Sequence, residues 1–232
     1  MSRKIRNGLI ASIIFGFVSI LFTVLVITVD VQPIGPEGTS VGFASMNGAF
    51  RDAMGTSSFL YQISNILGYL AILLGVFCMG IALLEWIRRK SVFRVDTHLI
   101  IMGFLLVTLA IIYIVFEKVE INYRPVLLDG DTVPEPSFPS SHTLLMATIF
   151  GACFICAKRM IRNKTICSVV RVLCVGLTII GVLTRLFSGV HWLTDILAAV
   201  LYSGTLVSLY YTVLSIIRRR KRVQKLREES DA

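Results

Sequence analysis

Six apolar stretches, each near the roughly 20 residues that a helix needs to cross the hydrocarbon core of a bilayer, recur along this chain and alternate with polar connectors. Within a bilayer every backbone N–H and C=O must find a partner inside the protein, so stretches of this kind can only be helices. The pattern predicts an all-α polytopic membrane protein, a six-transmembrane-helix bundle with spans at about 8–28, 61–86, 99–116, 143–157, 169–187 and 192–217. Its connectors are too short for a separate soluble domain, so residues 1–232 read as one membrane-embedded domain. With 55% hydrophobic and only 16% charged residues, the chain is too apolar for a soluble domain of this size. The first span follows Arg3, Lys4 and Arg6 but is longer than the roughly 7–15-residue core of a signal peptide and lacks a small-residue cleavage pattern. It reads as retained.

The net charge of +9 gains meaning from its distribution. If the spans alternate with the amino terminus inside, 19 of the 23 lysines and arginines fall on the cytoplasmic side. Basic loops are held in the cytoplasm during insertion, so both termini are expected to be cytoplasmic. The basic tail, Arg218 to Arg222, is then an anchor for anionic lipid headgroups, and nucleic acid is not an expected partner. Only Arg51, Lys118, Arg124 and Arg185 remain on the outer side.

Between the first two spans, residues 29–58 carry Pro33, Gly35, Pro36 and Gly38 as turn residues. Phe43, Met46, Phe50 and Met54 follow at helical spacing, a segment expected to lie flat in the membrane interface. The five cysteines sit in or beside apolar stretches and read as small hydrophobes, Cys153 and Cys156 included. His98, beside Asp96, reads as an interface residue on the cytoplasmic side.

Three polar stretches assigned to the outer side hold the residues suited to chemistry. The first is Lys118-Val-Glu-Ile-Asn-Tyr-Arg124-Pro125, the second Pro139-Ser140-Ser141-His142, and the third Thr184-Arg185 leading to His191 and Asp195. Ser140 is placed to cap a long helix, whose first free N–H groups attract phosphate. His142 then lies where it can protonate a leaving oxygen. His191 and Asp195, four apart at the head of the last helix, share a face, so Asp195 can accept from Nδ1–H and leave Nε2 as a nucleophile. Arg185 ends an apolar helix, a costly place for a cation, and its guanidinium can hold phosphate oxygens bidentately.

These stretches resemble the three signature motifs of the type 2 phosphatidic acid phosphatase superfamily: Arg124-Pro125, Pro139-Ser140-Ser141-His142, and Arg185-x5-His191-x3-Asp195. The likeness runs from the third to the sixth span, and Gly189-Val-His191-Trp-Leu-Thr-Asp195 is its most specific part. It implies that His191 attacks phosphorus to give a phosphohistidine with the aid of Asp195, and that His142 protonates the leaving group. Arg124, Arg185, Ser140, Ser141 and Lys118 then bind phosphate, with no metal and no cofactor. Three positions depart from the family pattern. Glu117 occupies the lysine position, with Lys118 one residue beyond it, Ser141 replaces a glycine, and Thr184 replaces a serine.

The expected activity is hydrolysis of a lipid phosphate or pyrophosphate drawn from the outer leaflet of a bacterial plasma membrane. Undecaprenyl pyrophosphate ranks first, ahead of phosphatidylglycerol phosphate and phosphatidate. The fourth span, at about 15 residues or roughly 23 Å, suggests a site sunk below the surface. A lipid phosphate carrier and a lipid phosphotransferase are the competing readings, the first disfavoured because a carrier needs cations but no oriented nucleophile.

Overall fold

A computed structural model describes residues 2–128 and 132–230, and within them the chain is helical: α1 (Arg3–Thr28), α2 (Ala44–Met54), α3 (Ser58–Arg89), α4 (Thr97–Lys118), α5 (Ser141–Met160), α6 (Lys164–Phe187) and α7 (Leu193–Ser230). Six of these, all but α2, are long and apolar enough to cross a membrane. Side chains that would be hidden in a soluble protein face outward, among them Phe17 at 66% and Phe77 at 63% exposure, as a lipid-facing surface requires. The starts of α3, α4 and α6 are capped by Ser57, Asp96 and Asn163, each accepting a free N–H of the first turn.

Helix α5 is the centre of the bundle. In its apolar window 61% of residues are buried, against 17–28% in the other five, so α5 touches protein on nearly every side while the rest are half bathed in lipid. Leu144, Met146, Ile149, Phe150 and Ala152 form its packed surface. Around it, α1 lies along α7, joined by hydroxyl contacts between Ser19 and Thr205 (3.3 Å) and between Thr23 and Tyr202 (2.9 Å). Hydroxyls of this kind link helices where lipid gives no hydrophobic drive for association.

Several expectations change. With 20 residues α5 reaches roughly 30 Å and matches the hydrocarbon core instead of falling short of it; the apolar count left out Ser141, His142 and the basic last turn. Helix α7 runs past its apolar part to Ser230, so the basic tail is a helical extension. Helix α2 is tied to the bundle along one face. Phe43 precedes it and stacks on Phe22, Phe50 stacks on Phe187, and only Met46 and Met54 face outward. Asn47, 1% exposed, ties α2 to the start of α7 by donating to Thr194 Oγ1 (2.9 Å) and accepting from the Thr194 N–H (3.2 Å). His98 is buried, with Nε2 against the Arg218 guanidinium.

Candidate active site

The starts of α5 and α7 and the end of α6 meet at one end of the bundle, and the polar residues that the sequence singles out gather there. Arg185, in the last turn of α6, is 1% exposed. Its guanidinium donates to Ser64 Oγ (3.2 Å) and Asn65 Oδ1 (3.1 Å) of α3, lies 5.1 Å from the centre of the Tyr61 ring, and sits 3.2 Å from His191 Nε2. A guanidinium has donors only, so Nε2 must be the acceptor, and in the neutral ring Nδ1 carries the proton. This is the tautomer a nucleophilic Nε2 requires. Burial, reinforced by the charges of Arg185 and Arg124, holds the His191 pKa well below the ordinary imidazole value, so its lone pair is free at neutral pH.

Asp195 lies 3.5 Å from His191 Nδ1 through Oδ2, beyond a formed hydrogen bond. The carboxylate is held by other donors: Asn122 Nδ2 at 3.0 Å and the Trp192 N–H at 3.1 Å. Helix α7 begins at Leu193, so His191 belongs to the preceding turn and the two residues do not share a helical face. Asp195 instead reaches back to the chain before its own helix, as the acidic member of a capping box does. The turn carrying His191 has no freedom to drift. Gly189 has φ +72°, and a Cβ there would meet the Gly55 carbonyl at 2.3 Å, so the turn nests against the chain leading into α3.

His142, in the first turn of α5, faces Gly68 of α3, where a Cβ would come within 2.7 Å of the imidazole. The glycine therefore makes the room that the ring occupies. Ser140 is fully buried, its N–H donating to the Asp195 carbonyl (3.1 Å) and its hydroxyl to Thr143 Oγ1 (3.1 Å). The first of these bonds ties the start of α5 to the start of α7, and the second stays within the first turn of α5.

Arg124 stands on the loop between α4 and α5, where its N–H donates to the Glu135 carbonyl (2.9 Å) and its Nε lies 3.0 Å from a Glu135 carboxylate oxygen. An apolar cavity of about 760 Å³ opens beside it. His142, His191, Arg124, Glu135 and Ser141 line its polar end, and from there it extends past Leu106 and Leu109 of α4 to Gly75, Val76 and Met79 of α3.

Five predicted residues, Arg124, His142, Arg185, His191 and Asp195, thus converge, with Ser141 on the cavity wall. Lys118 does not join them: it is exposed in the last turn of α4 and absent from the wall, while its neighbour Glu117 lines it. One residue is a turn of 100° on a helix, enough to move a side chain to another face. Ser140 serves through its backbone bond to Asp195 and a hydroxyl bond within α5, not as part of the cavity wall. Thr184 returns its hydroxyl to the Ile180 carbonyl (2.8 Å). Sequence reasoning missed Asn122 and Asn47, which hold Asp195 and Thr194, Ser64 and Asn65, which hold Arg185, and Glu135, which faces Arg124. Asn122 alone left a signal, a polar residue inside the first signature stretch.

The family model of the PAP2 superfamily matches residues 115–219, the part of the chain that carries all three motifs. Among solved structures, the membrane PAP2-type phosphatidylglycerolphosphate phosphatase from Bacillus subtilis superposes with a TM-score of 0.63 at 15% identity, covering 89% of this chain and 96% of that one. No curated protein sequence matches. Residues 115–219, which hold the converging motifs, thus resemble the PAP2 superfamily, and the six-helix frame around them shares its fold with that phosphatase.

Proposed function

We propose that this protein hydrolyses lipid phosphate or pyrophosphate esters through a phosphohistidine on His191, with undecaprenyl pyrophosphate as the leading substrate. The observation that carries the reading is one continuous space: an apolar cavity of about 760 Å³ that ends on two histidines and an arginine. A tail can occupy the apolar length while the phosphate reaches His191.

In the first step the phosphate oxygens take over the guanidinia of Arg185 and Arg124, releasing the His191 lone pair and displacing the Glu135 carboxylate. Nε2 then bonds to phosphorus as the bond to the lipid-side oxygen breaks, and His142 gives that oxygen its proton. Positive charge growing on the His191 ring draws Asp195 closer than 3.5 Å, a tightening expected of catalytic hydrogen bonds once substrate is bound. In the second step His142 takes a proton from water, the oxygen of which attacks phosphorus, and the P–N bond breaks to free phosphate. The two guanidinia neutralise the charge that builds on phosphorus. By the charge distribution of the loops, the site faces the extracytoplasmic side.

A second substrate reading, phosphatidylglycerol phosphate, is favoured by the structural neighbour, a phosphatidylglycerolphosphate phosphatase. Phosphate release by the purified protein from a panel of lipid phosphates, assayed with EDTA present, tests both. Turnover that persists in EDTA and vanishes in His191→Ala supports the mechanism, unchanged turnover in that variant defeats it, and the ranking of kcat/KM across the panel decides the substrate.

A further inference from the structure

We propose that the end of the bundle opposite His191 carries a second anion site, a cavity of about 400 Å³ among α1, α5, α6 and α7 that takes the phosphate of an anionic phospholipid headgroup. Four cations line it: Lys4 from the first turn of α1, Lys158 from the last turn of α5, Arg171 from α6 and Arg218 from α7. Three hydroxyl residues, Ser2, Tyr211 and Ser215, join them, and no acidic residue is among those lining the cavity. Phe154 and Ile155 form its apolar side.

Charge placed only to orient the chain during insertion needs to be near the helix ends and nothing more. Here it converges. Arg171 stands seven residues beyond the first residue of α6, roughly 10 Å along the helix, yet faces the same hollow as the terminal residues of α1 and α5. Its guanidinium is held over the Phe154 ring at 4.0 Å, and its Nε is buried with no protein partner. The ring fixes the cation in place without cancelling its charge. Arg218 is steadied by His98, also without neutralisation. The nearby carboxylates are committed elsewhere: Asp96 to Arg159 at 2.9 Å, and Glu85 to Arg89 at 3.6 Å and to the Asp96 N–H. Like charges gathered around one hollow repel one another, and an anion bound there relieves that repulsion. Basic pockets between membrane helices hold phosphate-bearing headgroups in this manner. The basic tail contributes only its first residue, Arg218, so the site is distinct from a diffuse attraction to the membrane surface.

The test is thermal unfolding of the purified full chain in detergent micelles, with added phosphatidylglycerol, phosphatidylcholine or inorganic phosphate. Phosphatidylglycerol is a phosphodiester without a terminal phosphate, so the shift is read independently of turnover. The expected result is a rise of about 4 °C when phosphatidylglycerol exceeds its dissociation constant tenfold, with none from phosphatidylcholine. The rise is lost in Lys158→Gln/Arg171→Gln and reduced in Lys4→Gln/Lys158→Gln, a pair whose exposed side chains carry no internal hydrogen bond and so spares the fold. A shift from phosphatidylglycerol but not inorganic phosphate assigns the site to lipid, whereas a shift from both supports the phosphate chemistry and assigns it to phosphate from either source. No shift with wild-type protein, an equal shift with phosphatidylcholine, or an undiminished shift in both double variants overturns the proposal.

Discussion

Two buried histidines, each with Nε2 against an arginine, stand at opposite ends of this bundle. His191 pairs with Arg185, and His98 pairs with Arg218. Both rings are nearly sealed, at 4% and 3% exposure. What differs is the surroundings. Beside His191 an aspartate with no cationic side-chain partner waits 3.5 Å from Nδ1, a second histidine stands nearby, and an apolar cavity reaches the ring. Beside His98 the carboxylate of Asp96 is turned away to cap α4 and hold Arg159, and the ring lines neither the large cavity nor the opposite basic one. The lesson is that a His–Arg contact by itself is a packing device. It becomes a candidate for chemistry when a carboxylate can support the imidazolium and a substrate can arrive.

The comparison breaks most directly at the nucleophile. His191→Ala is expected to lower phosphate release by about 10⁴-fold or more, while the Arg185 and Arg124 guanidinia still bind vanadate; retained turnover would put the two histidines on an equal footing. Asp195→Asn keeps the shape and removes the charge that supports the ring, for an expected loss of about 10²–10⁴-fold in kcat. The same change at Asp96 should leave kcat alone. Gly68→Ala forces the His142 ring out of its place and is expected to lower kcat about 10–100-fold with KM little altered, since a displacement near 1 Å has that cost. Single-turnover kinetics would show whether the slowed step is the departure of the leaving group.

Smaller effects sharpen the contrast. Glu135→Gln frees Arg124 from a partly exposed ion pair, so KM should fall about 2–5-fold, with kcat unchanged; a higher KM would mean that Glu135 positions the arginine instead of competing with substrate. His98→Gln should alter turnover less than about twofold and act through stability, lowering the unfolding temperature by a few degrees as a buried contact with Arg218 is lost.

Much of this molecule is legible from its residues in order. The periodic apolar runs give six spans because a bilayer leaves the backbone no alternative to helix, and the polar residues at the ends of those runs give Arg185, His191, Asp195, His142 and Arg124 because charge in an apolar segment needs a reason. Errors arise where a side chain's direction matters more than its position. Lys118 and Glu117 are adjacent, but only Glu117 faces the cavity. Phe43 and Phe50 share helical spacing with Met46 and Met54, but the phenylalanines are half-buried in stacks with Phe22 and Phe187. His98 looks like a surface residue until α7 closes over it, with the Tyr210 hydroxyl donating to its carbonyl at 3.2 Å.

By itself the sequence determined the class, the span count and the residues that carry chemistry, because those follow from local hydropathy and from charges too costly to place without purpose. Only the tertiary structure decided who holds whom. Asn122 on Asp195, Ser64 and Asn65 on Arg185, Gly68 beneath His142 and Glu135 on Arg124 each join residues 73–121 positions apart or lie across a loop. The pairings between helices depend on helix rotation and on which faces meet, quantities set by packing across the bundle and encoded in no single stretch of chain.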